Sequence, residues 1–196
     1  MIPIGPNVFG LLIASVAGQG LFAAIFMALT RALVVSEGQR QQQPEQVATH
    51  VHRLLLQLAK PTMPVSMFYG VVDARDGSMK YVNAGHAAPL VRNADGSIEA
   101  LPGGGSQLAA SLRVEVEERS IVLMPGQTLV LYTDGLVETK NAHAERFGLE
   151  RLKAALSGDA ASPEALIDHV FSVVDAHRGK LGRRHDQAIL VAHIRE

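Results

Sequence analysis

Hydrophobic and polar positions alternate in runs whose lengths separate strands from helices. Phe9 to Val16 is uninterrupted and apolar, as in a strand covered on both faces. The Gly18-Gln19-Gly20 turn feeds Leu21 to Val35, apolar nearly all round, with Thr30 and Arg31 as its only polar residues. Such a helix is expected to be buried between a sheet and either another helix or a second subunit. Ser36 to Gln43, with Gly38 and three consecutive glutamines, reads as a polar loop. Pro44 suits the first position of a second helix, in which Val47, Val51, Leu54, Leu55 and Leu58 share one face. His50 and His52 then fall on the solvated face, two apart, which is the wrong spacing for a shared helical metal site.

From Val65 to Tyr132 the texture becomes strands and turns. Val65 to Asp73, Met79 to Asn83, Pro89 to Arg92, Ile98 to Leu101, Val114 to Leu123 and Thr128 to Tyr132 are separated by Asp76-Gly77, Asp95-Gly96, Gly103-Gly104-Gly105 and Pro125-Gly126. An antiparallel meander is expected. Phe147 to Leu156 and Pro163 to His177 read as helices, the second opening with Ser162 as cap, Pro163 at the first position and Glu164 in the first turn. Ala188 to Ile194 closes the chain as a strand. The order strand, two helices, about six strands, two helices, strand predicts an α/β (α+β) fold, an αββα sandwich of two antiparallel sheets flanked by helices.

Composition narrows the function classes. At 196 residues the chain is expected to be a single domain. A net charge of −1 with 19% charged residues leaves no basic stripe for nucleic acid. The absence of cysteine excludes disulfides, a thiol nucleophile and Cys-ligated zinc, and fits a cytoplasmic location. Val8 to Leu29 carries no charge and is long enough for a membrane span. No basic residue precedes Arg31, however, and Gly18-Gln19-Gly20 divides the run, so no membrane partner is expected.

Candidate chemistry concentrates at Thr128 to Glu138, TLVLYTDGLVE. Asp134 follows five strand-forming residues, and Gly135 lets the backbone bend directly after it. The carboxylate is then either part of an ordinary Asp-Gly turn or held on a rigid rim within reach of a metal or phosphate. His86 in Asn83-Ala84-Gly85-His86 has two readings: substrate contact, or a turn residue closing a strand end. Arg183-Arg184-His185 is the most basic point of the chain.

Several motifs in order, Met67-Phe68-Tyr69-Gly70, Tyr81 to His86, Leu101 to Gly105, Leu131 to Gly135 with Glu138, and Phe147-Gly148, resemble the PPM-type metal-dependent protein phosphatases, specifically their SpoIIE/RsbU-like branch. The resemblance runs from about Phe9 to Arg195 and implies the same αββα sandwich. It also implies hydrolysis of phosphoserine or phosphothreonine by a water bridging two Mn or Mg ions, which aspartates from separate strands hold. Asp134 matches one of those aspartates. The family's acidic first strand falls on Met1 to Val8, which has no carboxylate; its Gly-Asp-Val-Ser-Gly-Lys-Gly falls on Ala14 to Gly20, so that an aspartate becomes Ser15; and its Asp-Asp pair falls on His185-Asp186. His86, Gly18 and Arg184 take the substrate or phosphate positions.

Hard cations need several oxygen ligands, and a serine hydroxyl and an imidazole are poor substitutes. The ligand set therefore points to a pseudophosphatase, with Mn or Mg expected only if the site is active, acting in sigma-factor regulation by binding a phosphorylated STAS-domain anti-anti-sigma protein. The alternatives are an active Mn- or Mg-dependent phosphatase, whose missing aspartate lies outside the given chain or is replaced by His185 and Asp186, and a structural part of a multidomain sensor. A homodimer seam along Leu21 to Val35 is a further expectation.

Overall fold

A computed structural model describes residues 1–58, 63–158 and 162–195. Ile2–Gly5 forms β1, which turns through Asn7 at φ 60 and pairs with β2, Val8–Val16. α1 spans Leu21–Arg40 and α2 Pro44–Leu58. Six strands follow: β3 Val65–Asp73, β4 Ser78–Ala84, β5 Leu90–Arg92, β6 Ile98–Ala100, β7 Arg119–Val122 and β8 Thr128–Tyr132. The chain ends with α3 Asp134–Val137, α4 Gly148–Ser157, α5 Pro163–Arg178 and β9 Ile189–His193. The strands make two antiparallel sheets, β1-β2-β3-β4-β7 and β6-β5-β8-β9, with flanking helices, the fold class expected from the element order.

Two compact units divide the chain, Met1–Ala88 with Pro102–Leu123, and Pro89–Leu101 with Met124–Glu196. In the first unit, β3 is the central strand, and eight of its nine residues are buried. Met67, Tyr69 and Val71 alternate onto the face that α1 and α2 cover, where they pack with Val47, Val51 and Leu55 of α2 and with Phe26 and Val34 of α1. In the second unit, β8 pairs with β5 and β9, and all five of its residues are buried. Ser162 caps α5 through its Oγ, which accepts from Ala165 N–H at 3.1 Å, and Pro163 takes the first position as expected.

The structure corrects the sequence reading in five places. β1 is an additional strand, formed by a segment too short and too rich in Gly and Pro to stand out alone. The strands from Val65 to Tyr132 are not one meander, because β5 and β6 leave the first sheet and join β8, while β7 returns to β4. Val114 to Leu123 forms a ladder only over β7, since Glu115 is bonded instead to Ser106, whose N–H donates to Glu115 O at 2.9 Å. His52 is 5% exposed, not solvated, and its Nδ1 accepts from Ala109 N–H at 3.2 Å. The fifth correction concerns α1.

α1 continues through Ser36 to Arg40, where a loop was expected, because tertiary contacts stabilise its polar end. Glu37 is buried, and its carboxylate is met by His50 Nδ1 at 3.2 Å and by Gln41 Nε2 at 3.3 Å. Gly38 faces Tyr69. Nor is the helix buried all round: Leu21, Phe22 and Ile25 stay exposed. α1 is long and apolar enough to cross a membrane by length and composition alone, and here it lies on the first sheet beside α2.

Tyr69 sits between two glycines. A Cβ at Gly10 would lie 3.2 Å from its hydroxyl, and one at Gly38 would overlap that oxygen and stand 3.3 Å from Cζ. Among the described residues the buried hydroxyl has no hydrogen-bond partner, and burial pushes its pKa up to about 12. Above pH 10 the unfolded tyrosine releases its proton while the folded one retains it, so this group's contribution to stability is lost from about pH 10 to about 12. Tyr69→Phe is expected to keep or raise the melting temperature at neutral pH and to flatten the fall in stability above pH 10. Gly38→Ala, which in an open helix gains about 1 kcal/mol, should instead destabilise by about 1–3 kcal/mol through overpacking, read by urea denaturation.

Candidate functional site

The buried β8 delivers Thr133 to the start of α3 in an extended conformation, φ −86 and ψ 152. Thr133 is 6% exposed and is bonded on both sides to the segment leading into β9. Its N–H donates to Ala188 O at 3.0 Å, its hydroxyl donates to Asp186 O at 3.1 Å, and the same oxygen accepts from Ala188 N–H at 2.9 Å. A second set of bonds lies one turn further. Thr139 Oγ1 donates to Gly135 O at 2.8 Å, and Gln187 Nε2 donates to that carbonyl at 3.3 Å and to Thr139 Oγ1 at 2.6 Å.

This lacing brings Gly135, the residue after Asp134, against His185 and Asp186. A Cβ at Gly135 would overlap the Asp186 carbonyl oxygen, stand 3.0 Å from its carbon and 3.1 Å from His185 Cβ. The glycine therefore serves a close backbone approach, and no left-handed bend is required of it. Asp134, His185 and Asp186 are all exposed at this rim. The phenol of Tyr132, two residues before Asp134, is raised above its usual pKa by burial and by the Asp134 charge. Arg184, in the same exposed segment, lies next to His185.

The remaining expected site residues lie in the first unit. Ser15 is half-buried on β2 opposite Ser66, whose hydroxyl donates to Ser15 O at 3.5 Å. Gly18, at φ 135, lies in the turn that leads to α1, with Met63 Cε 3.5 Å from where a Cβ would stand. His86 closes the end of β4. Its N–H donates to Asn83 Oδ1 at 2.8 Å while Asn83 Nδ2 donates to His86 O at 3.0 Å, and its Nδ1 lies 3.4 Å from Ala87 O. These bonds match the turn reading of His86. Tyr81, four residues before Gly85, donates its hydroxyl to Pro102 O at 2.7 Å, joining the Tyr81 to His86 motif to Leu101 to Gly105.

The donor set fits a pair of hard cations poorly. In the second unit its members are the carboxylates of Asp134 and Asp186 and the imidazole of His185. Among the described residues no three His, Cys, Asp or Glu side chains assemble as a metal site. Sequence reasoning missed Thr133, Thr139 and Gln187, which position the rim. The Thr-Asp-Gly spacing was the available indication of Thr133, whereas Gln187 carried none. Gly135→Ala is expected to cost about 1–3 kcal/mol, or several degrees in melting temperature, by forcing α3 off the 185–188 segment. Scanning calorimetry that showed no change would remove the close approach as its reason.

A family model described as Stage II sporulation protein E (SpoIIE) matches residues 5–195. Protein IcfG of Synechocystis sp. (strain ATCC 27184 / PCC 6803 / Kazusa) is 27% identical over 115 residues, covering 59% of this chain and 18% of that protein. Phosphoserine phosphatase RsbU of Bacillus subtilis is 28% identical over 143 residues, covering 71% of this chain and 43% of RsbU. The chain thus spans less than half the length of either relative. Among solved structures, the RsbU and RsbW domains of Rv1364c from Mycobacterium tuberculosis superpose with TM-score 0.76 at 24% identity, covering 96% of this chain and 52% of that one. The SiaA-PP2C domain of Pseudomonas aeruginosa gives TM-score 0.80 at 19% identity, covering 95% and 80%. The PP2C phosphatase domain of SpoIIE from Bacillus subtilis, solved with a fragment of its regulatory domain, gives 0.78 at 18% identity, covering 97% and 56%.

Proposed function

The chain belongs to the SpoIIE family, and from that premise we propose that it is a phosphatase-fold signalling module with a degenerate metal site, which acts by binding a phosphorylatable STAS-type anti-anti-sigma protein. The observation that carries this reading is the ligand set. Of the positions matched to the family's aspartates, Asp134 keeps its carboxylate, while Ser15 and His185 replace the others. Two divalent ions about 3.5–4 Å apart repel strongly unless several carboxylates offset their charge. Asp134 with Asp186 supplies too little, and without a bound metal a water keeps a pKa of about 15.7, far from the hydroxide that phosphoester hydrolysis needs.

A working Mn- or Mg-dependent phosphoserine/phosphothreonine phosphatase is the second reading. It is favoured by Asp186, whose backbone lies against Gly135, one residue from Asp134, and by the likeness to a relative named phosphoserine phosphatase. The two readings differ in what charge restoration does. Under the first, Ser15→Asp with His185→Asp raises Mn affinity at least about tenfold by calorimetry, a change worth about 1.4 kcal/mol, while Asp134→Asn leaves melting temperature and STAS-protein binding unchanged. Metal-dependent phosphate release from a phosphorylated STAS protein by the unaltered chain, abolished by Asp134→Asn, would establish the second.

A further inference from the structure

α1 is apolar on two opposite faces, and its own chain covers one of them. Ala23, Phe26, Thr30 and Val34 are buried where the helix meets α2, β1 and β2. On the other side Leu21, Ile25, Ala28, Ala32 and Val35 recur at steps of four, three, four and three residues, the spacing of the core positions in a two-helix seam. Leu21 is 71% and Ile25 57% exposed, Ala28 and Ala32 are exposed, and Val35 is half-buried. Phe22, 80% exposed, and half-buried Leu29 flank this stripe on one side, and Ala24 and Arg31 on the other. Arg31 is the one charge between Leu21 and Val35. An uncharged stripe about 21 Å long, at about 1.5 Å per residue, marks a contact surface.

The spacing calls for a second helix, and the side-chain sizes select which one. Leu21 and Ile25 make the N-terminal half of the stripe large, and Ala28 and Ala32 make the C-terminal half small. A second α1 laid antiparallel, with its two-fold axis between Ile25 and Ala28, sets Leu21 opposite Ala32 and Ile25 opposite Ala28. Large then meets small in every layer, and the helices stay evenly spaced. On the flanks Phe22 meets Leu29 of the second copy, and Arg31 lies over its Ala24. Parallel pairing instead stacks Leu21 on Leu21 and Ala28 on Ala28, so the seam tapers, and it brings the two Arg31 charges to the same level. A lipid surface suits the stripe less well, because an interfacial helix turns a strongly charged face to water and the far side of α1 is packed inside the chain.

We infer that the outward stripe of α1 is a docking surface for a second copy of this chain, joined through an antiparallel α1–α1 seam. Contact centred on one helix per copy is smaller than the standard interface of about 800 Å² per partner, so the dimer forms reversibly, at about micromolar concentration. The seam belongs to the first unit and does not depend on whether the Asp134 rim holds metal.

Sedimentation of the full chain from about 1 μM to about 1 mM tests this, with an expected shift from the 20.9 kDa monomer to twice that mass. Leu21→Glu and Ala32→Lys should each weaken the dimer about tenfold. Both side chains are exposed, so the melting temperature of the dilute monomer stays unchanged. The double variant should regain the dimer, because the new carboxylate meets the new ammonium of the second copy in one layer. The two positions are eleven residues apart, too far to pair within one helix. A monomer at every concentration, or a dimer indifferent to both single substitutions, overturns the seam. Loss in both single variants without recovery in the double overturns the antiparallel register. Cosedimentation of a monomeric chain with phosphatidylcholine/phosphatidylglycerol vesicles, lost in Leu21→Glu, gives the stripe to lipid and overturns the second copy as its occupant.

Discussion

The candidate site depends on a close backbone approach. Gly135 lies so near the Asp186 carbonyl that any side chain there would displace it, and Thr133 is bonded to the same segment from both its backbone and its hydroxyl. A buried strand can be held in place by apolar packing alone, but an exposed carboxylate such as Asp134 cannot, because water competes for it at every orientation. Its position is therefore inherited from the hydrogen-bonded neighbours on either side of it. Thr139 and Gln187 complete the clasp.

The rim is constrained by local charge. A two-metal centre requires an excess of negative charge, and on the proposed reading exposed Asp134 and Asp186 fall short of it beside His185, Arg183 and Arg184. His185 next to two arginines moves the local balance away from cations.

In the first unit the corresponding constraint is Tyr69. Its ring fills the notch that Gly10 and Gly38 leave, and that contact accounts for a glycine near the end of a long helix and for the continuation of α1 past Ser36. An unpartnered buried hydroxyl is a cost, and the packing of the ring, fully buried with Met67 and Val71 on the same face, offsets it.

Periodicity and turn residues determined much of this protein in the sequence. The strand Thr128–Tyr132, the helix beginning at Pro44, the capped helix at Pro163 and the break after Val16 all follow from local chemistry, in which each residue's preference agrees with its neighbours. That Ser15 and His185 carry no carboxylate was legible for the same reason, since residue type alone sets charge. Tertiary structure decided what local preference left open. Ser36 to Arg40 became helix because Glu37 found His50 and Gln41, His52 was buried because Ala109 N–H required an acceptor, and β5 with β6 changed sheets to pair with β8. Such contacts join residues far apart in the chain. Their energies depend on burial and approach distance, and neither quantity exists until the chain has folded.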